Sequence, residues 1–396
     1  MLVPSPPTVT SLRQLTPSLY EVGLKCAARL SWSASAGRQS IPQRPSALLG
    51  TAFHAVVESA NRGQLPSETQ ARRAAAREQF DTVAGAQYAA AHPLLRAKFA
   101  SPQLLPYYNL LRERASMLSI STSVGLQRAS IASTGGAAIA REVQPAGATE
   151  RRLTSRDGVL TGRPDRLDLQ GGEVIDYKTG SVSTDTGTAI SGAELRQLRL
   201  YAYLARENGF TVSRGTIIRG TGGRLSQDIA APEAEAEGQE ARSVLTRFNA
   251  AASGATFESL ARPSASACAN CPCIPFCNSF WVASNAQWAD ESGIHAEGRV
   301  LALRPLDTVH GRVVTVEIEI LRGTAPAGRG SLEQLPLAWL LESAAELREG
   351  GLIRIVDVKN ASETGPAVLR VSKLSSAVWL VGNDSNRSRN QENPNG

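Results

Sequence analysis

Residues 162–180 read GRPDRLDLQGGEVIDYKTG, and no other stretch limits the fold as much. The pair Gly171-Gly172 is a two-residue turn signal between two runs that can be strands. With those glycines as the loop, Gln170 pairs with Glu173 and Asp165 falls opposite Lys178. With Gln170-Gly171 as the loop, Asp165 falls opposite Asp176. Both loops have even length, so both place Asp165, Asp176 and Lys178 on one face. Carboxylates facing each other across strands are destabilising unless something compensates them. A divalent cation does so, because hard cations prefer oxygen ligands. Lys178 would then lie beside the cation, where its charge can hold an attacking water or stabilise a phosphorane-like transition state. A surface hairpin with scattered charges is the plain alternative. Against it, apolar residues precede the charges in EVIDYKTG, as in a strand that leaves the core with its functional groups at its end.

The segments around the hairpin alternate between helical and extended patterns. TSLRQLTPSLYEVGLKCAARLSW (residues 10–32) and SALLGTAFHAVVESA (46–60) have helical periodicity, and residues 66–118 are mostly helical in character. STGGAAIA and QPAGATE mark turns. From about Glu142 to Gly180 the pattern is strand-like. SGAELRQLRLYAYLARENG reads as a helix ending at Gly209, TVSRGTIIRGT as a strand, and Ala231–Ala252 as a helix. After Trp288 three strands, a helix over LAWLLESAAELREG and two more strands follow, an order that fits a small five-stranded barrel of the OB type. The tail over 383–396 is polar and reads as disordered. No internal repeat is present.

The 396 residues suffice for two domains. A net charge of +6 and a pI near 9.2 mildly favour an acidic partner such as nucleic acid. No apolar stretch approaches the roughly 20 residues of a membrane helix, and the N-terminal residues lack a secretory pattern. The expectation is a cytoplasmic location without membrane contact.

Four of the five cysteines lie in CANCPCIPFC, at Cys268, Cys271, Cys273 and Cys277; the fifth is Cys26. In a cytosolic protein such a cluster reads as metal binding before disulfides. A C-x2-C-x5-C loop can wrap one face of a cluster that a fourth thiolate completes. The alternative is zinc on the four local cysteines, but its C-x-C step is cramped and leaves Cys26 without a role.

His54 and Glu58 lie one turn apart on one helical face, as do Gln197 and Tyr201. A neutral imidazole beside carboxylates suits manganese or a similar ion. A structural histidine, and an ordinary amphipathic helix with Leu195, Leu198 and Tyr203 as its buried stripe, are the plainer readings.

The order G-x3-H, GRPDRLD, EVIDYKTG, QLRLY, with one cysteine upstream and a trio downstream, resembles the RecB-type branch of the PD-(D/E)xK nucleases. More narrowly, it resembles the iron–sulfur members, the AddB nuclease domain and the CRISPR-associated exonucleases, over roughly residues 11–281. The resemblance implies an α/β fold: a restriction-endonuclease-like core with a helical insertion over 9–284, followed here by the OB-like domain over 290–382. It implies His54, Asp165 and Asp176 as ligands of Mg²⁺ or Mn²⁺, joined by the Tyr177 carbonyl. Lys178 would orient or activate water, and Gln197 and Tyr201 would fix the catalytic geometry or contact the DNA backbone. Cys26, Cys268, Cys271 and Cys277 would hold a [4Fe–4S] cluster. Cys273 is extra to the pattern, which leaves Cys271 against Cys273 open. Asp176 stands where many relatives carry Glu.

The implied activity is metal-dependent phosphodiester hydrolysis: a deoxyribonuclease, in particular an exonuclease on single-stranded DNA or duplex ends, in repair, recombination or phage defence. Without a Walker-type phosphate loop, any unwinding falls to a helicase or other partner. The competing class is a non-catalytic DNA-binding or scaffolding subunit. The retention of His54, Asp165, Asp176 and Lys178 argues against it. The OB-like domain could bind single-stranded DNA or dock a protein.

Overall fold

The computed structural model describes residues 1–35, 39–132, 148–149, 151–179, 189–220, 223–362 and 365–382, with backbone only for 121–132 and 148–149. STGGAAIA, most of QPAGATE and the polar tail lie outside the described residues.

The N-terminal segment expected as one helix is two, α1 (Pro17–Lys25) and α2 (Ala27–Ala34). The Thr16 hydroxyl accepts from the Leu19 amide, and Pro17 opens the first turn, where its missing N–H is harmless. Between the helices Cys26 is extended, at φ −162° and ψ 124°. A break of one residue hardly disturbs the apolar period, so the pattern ran through it.

Next comes α3 (Pro45–Asn61), whose Leu48, Leu49, Ala52, Phe53, Val56 and Val57 form a continuous buried face. With α4 (Thr69–Ala90), α5 (Pro93–Lys98) and α6 (Tyr108–Ala132) it builds a helical layer. The core of this layer takes in Ile175 and Tyr177 from the sheet beside it.

That sheet is mixed. After β1 (Ala148–Thr149) and the separate short pair β2 (Leu153–Thr154) and β3 (Thr161–Gly162) come β4 (Arg166–Asp168) and β5 (Glu173–Lys178). Helix α7 (Gly192–Glu207) then crosses to β6 (Arg214–Arg219), parallel to β5, and β7 (Arg224–Asp228) follows; the strand order is β1-β4-β5-β6-β7. The parallel pair requires a crossover, and α7 supplies it. Its start is fixed by a capping box in which Ser191 and Glu194 exchange side-chain-to-backbone hydrogen bonds. Alternation along β5 turns Val174 toward the core containing α7 and turns Ile175 and Tyr177 toward the helical layer.

Arg166 pairs with Ile175, Leu167 with Val174 and Asp168 with Glu173. Continued by one residue, this register sets Asp165 across from Asp176, the second of the two alternatives. The loop itself is longer than a two-residue turn. Asp168 closes it by accepting from the Gln170 and Gly171 amides, and Gly172 adopts φ +61°.

Helix α8 (Ala231–Ala252) leads through α9 (Phe257–Leu260) and α10 (Ala265–Cys268) to the cysteine loop, then to α11 (Asn278–Ala283) and α12 (Ala289–Ser292). The last sheet comprises β8 (Ile294–Thr308), β9 (Gly311–Gly323), β10 (Gly328–Pro336), β11 (Leu352–Asn360), β12 (Ala367–Arg370) and β13 (Ala377–Val381), in the order β12-β10-β9-β8-β11-β13. β12 lies parallel to β10 and also pairs antiparallel with β11. Two expectations fail here. Residues 337–346 form a 3₁₀ segment, not an α-helix, because Leu341 at φ 54° and ψ −138° interrupts it. AVLRVSKLSSAVWLV is two strands, parted at Ser372–Ser376, where the Ser372 amide donates to the Ser376 hydroxyl.

A buried arginine fastens this sheet to the cysteine loop. Arg354 of β11 pairs with Glu297 of β8 at 2.7 Å, donates to the Pro275 carbonyl at 2.8 Å and to Asn278 Oδ1 at 2.7 Å, and stacks over Trp281. No helix among the described residues is long and apolar enough to cross a membrane.

Candidate active site

β5 delivers Asp176 and Lys178 at its C-terminal end, two residues apart and therefore on one face. α7 delivers Gln197 and Tyr201 one turn apart onto that face. Lys178 Nζ lies 2.7 Å from Asp176 Oδ2 and donates to Gln197 Oε1 at 2.6 Å. The Gln197 amide donates to Asp176 Oδ1 at 3.2 Å and to the Tyr201 hydroxyl at 3.4 Å. Tyr201 in turn donates to the Arg163 carbonyl at 3.3 Å. One glutamine thus orients a carboxylate, an ammonium and a phenol.

From the other layer, α3 brings His54 Nδ1 to 3.1 Å from Asp165 Oδ1, while Asp165 Oδ2 accepts from the Tyr177 amide at 2.7 Å. Two glycines permit these approaches. A Cβ on Gly50 would stand 2.8 Å from Thr179 Oγ1, so only glycine lets α3 come this close to the end of β5. A Cβ on Gly162 would stand 2.9 Å from Leu204 and 3.0 Å from Tyr201. These are the glycines of the G-x3-H and GRPD motifs.

Burial pushes the Asp176 carboxyl up to about 6, against the pull of Lys178; the charge of Asp165 pushes the same way as burial. Burial would lower His54, but its hydrogen bond to Asp165 and the negative charge nearby outweigh that and raise it. Burial raises the Tyr201 phenol.

All six expected residues of this site are therefore brought together. Arg163 was missed as a participant: it pairs with Glu58 at 2.9 Å, and Glu58 also pairs with Arg62. Its place two residues before Asp165 was the available signal.

As arranged, no group of three or more His, Cys, Asp or Glu side chains among the described residues could hold a metal ion. The donors at the carboxylate site nevertheless fit a hard divalent cation in kind. They are two carboxylates and an imidazole, and among the described residues the buried Asp176 Oδ2 has no hydrogen bond of acceptable geometry, only the adjacent Lys178 charge.

The five cysteines are free, and all five line one small cavity together with Arg29 and Phe257. Cys26, from the break between α1 and α2, is thus carried to the distant loop at 268–277. Burial pushes the Cys268 thiol up to about 11 and Cys277 up to about 12. Cys273 bonds to Cys271, which lowers the Cys271 thiol, while burial raises Cys273. Burial thus holds Cys268, Cys273 and Cys277 neutral, and thiols so held become thiolate ligands only when a bound metal offsets the desolvation.

Residues 14–278 match the PD-(D/E)XK nuclease superfamily, and the chain belongs to that superfamily. No curated protein matches the chain. The β8–β13 sheet lies beyond the matched region.

Proposed function

We propose that this protein is a metal-dependent DNA exonuclease of the RecB-type branch, acting on single-stranded DNA or duplex ends in repair, recombination or phage defence. Superfamily membership supports phosphodiester hydrolysis, and members generally use Mg²⁺ or Mn²⁺. The observation that carries the reading is the bonded group Asp176–Lys178–Gln197–Tyr201, with His54–Asp165 across the register from it. A subunit that only bound DNA would have no use for a lysine held between a buried carboxylate and an orienting amide.

His54, Asp165 and Asp176 would hold the cation, with the Tyr177 carbonyl. When bound, the ion supplies a nucleophilic water of lowered pKa and neutralises charge on the scissile phosphate. The chain does the rest. Lys178, fixed by Gln197, holds the attacking water by its lone pair and meets the charge that builds on phosphate. Asp165 keeps His54 in one orientation. Tyr201 holds Gln197 by accepting from its amide. Because the reacting group is the backbone, base identity need not matter.

The second part of the reading is a [4Fe–4S] cluster on Cys26, Cys268, Cys271 and Cys277, with Cys273 as a hydrogen-bonding thiol. The shared cavity and the soft donor set support it. The third is an OB-like barrel over 290–382 following a nuclease domain over 9–284. It is supported by the neighbour order β8-β9-β10-β12-β11 with the parallel β10–β12 pair, to which β13 adds a sixth strand alongside β11 in place of the five expected. Unwinding would fall to a partner helicase.

The test is Lys178→Ala in the full chain. Cleavage of DNA with Mn²⁺ or Mg²⁺ should vanish while the thermal melt and bound iron stay at wild-type values. Normal cutting by that variant would mean that the site is misassigned.

A further inference from the structure

A cleft of about 1080 Å³ opens from His54 and Lys178 at one end and is walled at the other by the last sheet, at Val356, Asp357, Lys373–Ser375, Ala377 and Trp379. The active site thus faces a sheet that lies outside the superfamily match. Among the described residues six cations line this cleft, Arg29, Arg44, Lys98, Arg163, Lys178 and Lys373, against two carboxylates, Glu58 and Asp357. Both carboxylates are already engaged by arginines: Glu58 with Arg62 and Arg163, and Asp357 with Arg44 at 3.2 Å across the cleft. The remaining charge is positive, which favours a polyanion.

Two residues of the cleft wall carry buried donors that lack partners among the described residues. Trp379 is 2 % exposed, and its indole N–H has no hydrogen bond. Arg29 has its Nε and Nη1 buried and unbonded, with only a 3.5 Å contact from Nη2 to the Asn270 carbonyl. Buried donors without acceptors mark a place where a ligand or water completes the structure. Lys373 is exposed and makes no ion pair or hydrogen bond among the described residues. Apolar residues, including Ile41, Pro272 and Leu374, line the same cleft. Charge along a backbone track with apolar faces for sugars and bases is how single strands are held. The volume resembles that of a large small-ligand pocket (about 1,000 Å³), room for a few nucleotides of one strand.

We propose that the last sheet is part of the substrate site: one DNA strand leaving the scissile position runs through this cleft, its phosphates taken by Arg44 from the nuclease side and Lys373 from the sheet. Arg44 exchanges Asp357 for a phosphate as the strand enters, so Asp357 competes with the substrate. This rests on the nuclease reading, but binding can be measured without turnover.

The experiment is fluorescence anisotropy of a labelled oligothymidine with the full-length protein, without added divalent metal, across a salt series. Lys373→Ala and Arg44→Ala should each raise Kd and reduce the magnitude of the log Kd against log salt slope by about 0.7, the value for one single-strand phosphate contact. Asp357→Asn should lower Kd; asparagine tolerates the positive φ of 55° at this position. A purely structural role would not give opposite signs for the two partners of one ion pair. Wild-type Kd and slope in Lys373→Ala and Arg44→Ala overturn the proposal, as does blunt duplex competing mole for mole or absence of binding by wild type. If wild type never cleaves yet binding still depends on Lys373, the nuclease reading fails and this one stands. If wild type cleaves while the variants bind normally, only this one falls.

Discussion

Gly50 faces Thr179 so closely that a Cβ at Gly50 would lie 2.8 Å from the threonine hydroxyl. That contact fixes the distance between α3, which carries His54, and the end of β5, which carries Lys178. Gly50→Ala should therefore reduce the cleavage rate by moving His54 off Asp165. Its effect on stability should be small, since alanine gains about 1 kcal/mol of helix propensity against an overpacking cost of about 1–3 kcal/mol. Adding Thr179→Ala removes the obstructing oxygen and should restore activity. A double variant as slow as Gly50→Ala alone would show that the spacing is not what matters.

Gln197 bridges Lys178, Asp176 and Tyr201. Gln197→Ala leaves the reacting groups present but unaligned. We expect a loss of about 10–100-fold in kcat, typical of residues that orient a metal site, with an unchanged melting temperature. An unchanged kcat would remove Gln197 from the machinery.

Arg354 and Glu297 are each about 7 % exposed at the side chain. Arg354→Ala leaves buried Glu297 with only the longer 3.5 Å contact from Arg322 and releases the Pro275 and Asn278 contacts. Denaturant unfolding should register a loss, below the about 3–5 kcal/mol of a wholly uncompensated buried charge because Arg322 remains. Arg354→Ala with Glu297→Gln should recover part of it. Equal stability of the wild type and Arg354→Ala would show that the clamp contributes nothing.

Lys98 of α5 reaches across to the last sheet, donating to the Ser376 carbonyl and lying 4.7 Å from the Trp339 ring centre. Burial lowers its pKa to about 8, with Asp357 pulling the other way. The unfolded chain, with an ordinary lysine near 10.4, therefore binds more protons between pH 8 and that value. Stability contributed at this site should rise with pH across that window, because the penalty for burying the charge is fully present below pH 8 and disappears once both states are neutral. The difference in unfolding free energy between wild type and Lys98→Met should change in that direction. A pH-independent difference would contradict the burial of this charge.

The cysteine cavity makes its own prediction. Cys26→Ser should lower bound iron and the melting temperature together, since a cluster there would tie the α1–α2 break to the 268–277 loop. Cys273→Ser should keep its iron, whereas Cys271→Ser should not. Retention of full iron by Cys26→Ser would point to a site on the local cysteines alone.

Local patterns in the sequence led to the local elements. Ser191 and Glu194 bracket the start of α7, Gly209 at φ +81° follows its end, and Ala231–Ala252 is helical as the periodicity indicates. The even loop placed Asp165, Asp176 and Lys178 on one face, but two registers satisfied that condition. The Asp168 turn, with its bonds to the Gln170 and Gly171 amides, belongs to the register found. The break at Cys26 and the 3₁₀ distortion at Leu341 were hidden, because a single extended or left-handed residue leaves the apolar period intact. The Arg354 clamp, the Arg44–Asp357 pair and the cleft they border were invisible for another reason. They join residues far apart in the chain, and neither spacing nor propensity encodes such packing.

The most direct measurement is cleavage of end-labelled single-stranded and duplex DNA by anaerobically purified protein, with Mn²⁺ or Mg²⁺, beside Asp176→Ala. Metal-dependent loss of full-length DNA with the wild type and none with the variant is the expected result, and the released label gives the polarity. Intact DNA after incubation with folded wild type, or equal degradation by Asp176→Ala, would contradict the assignment of the site.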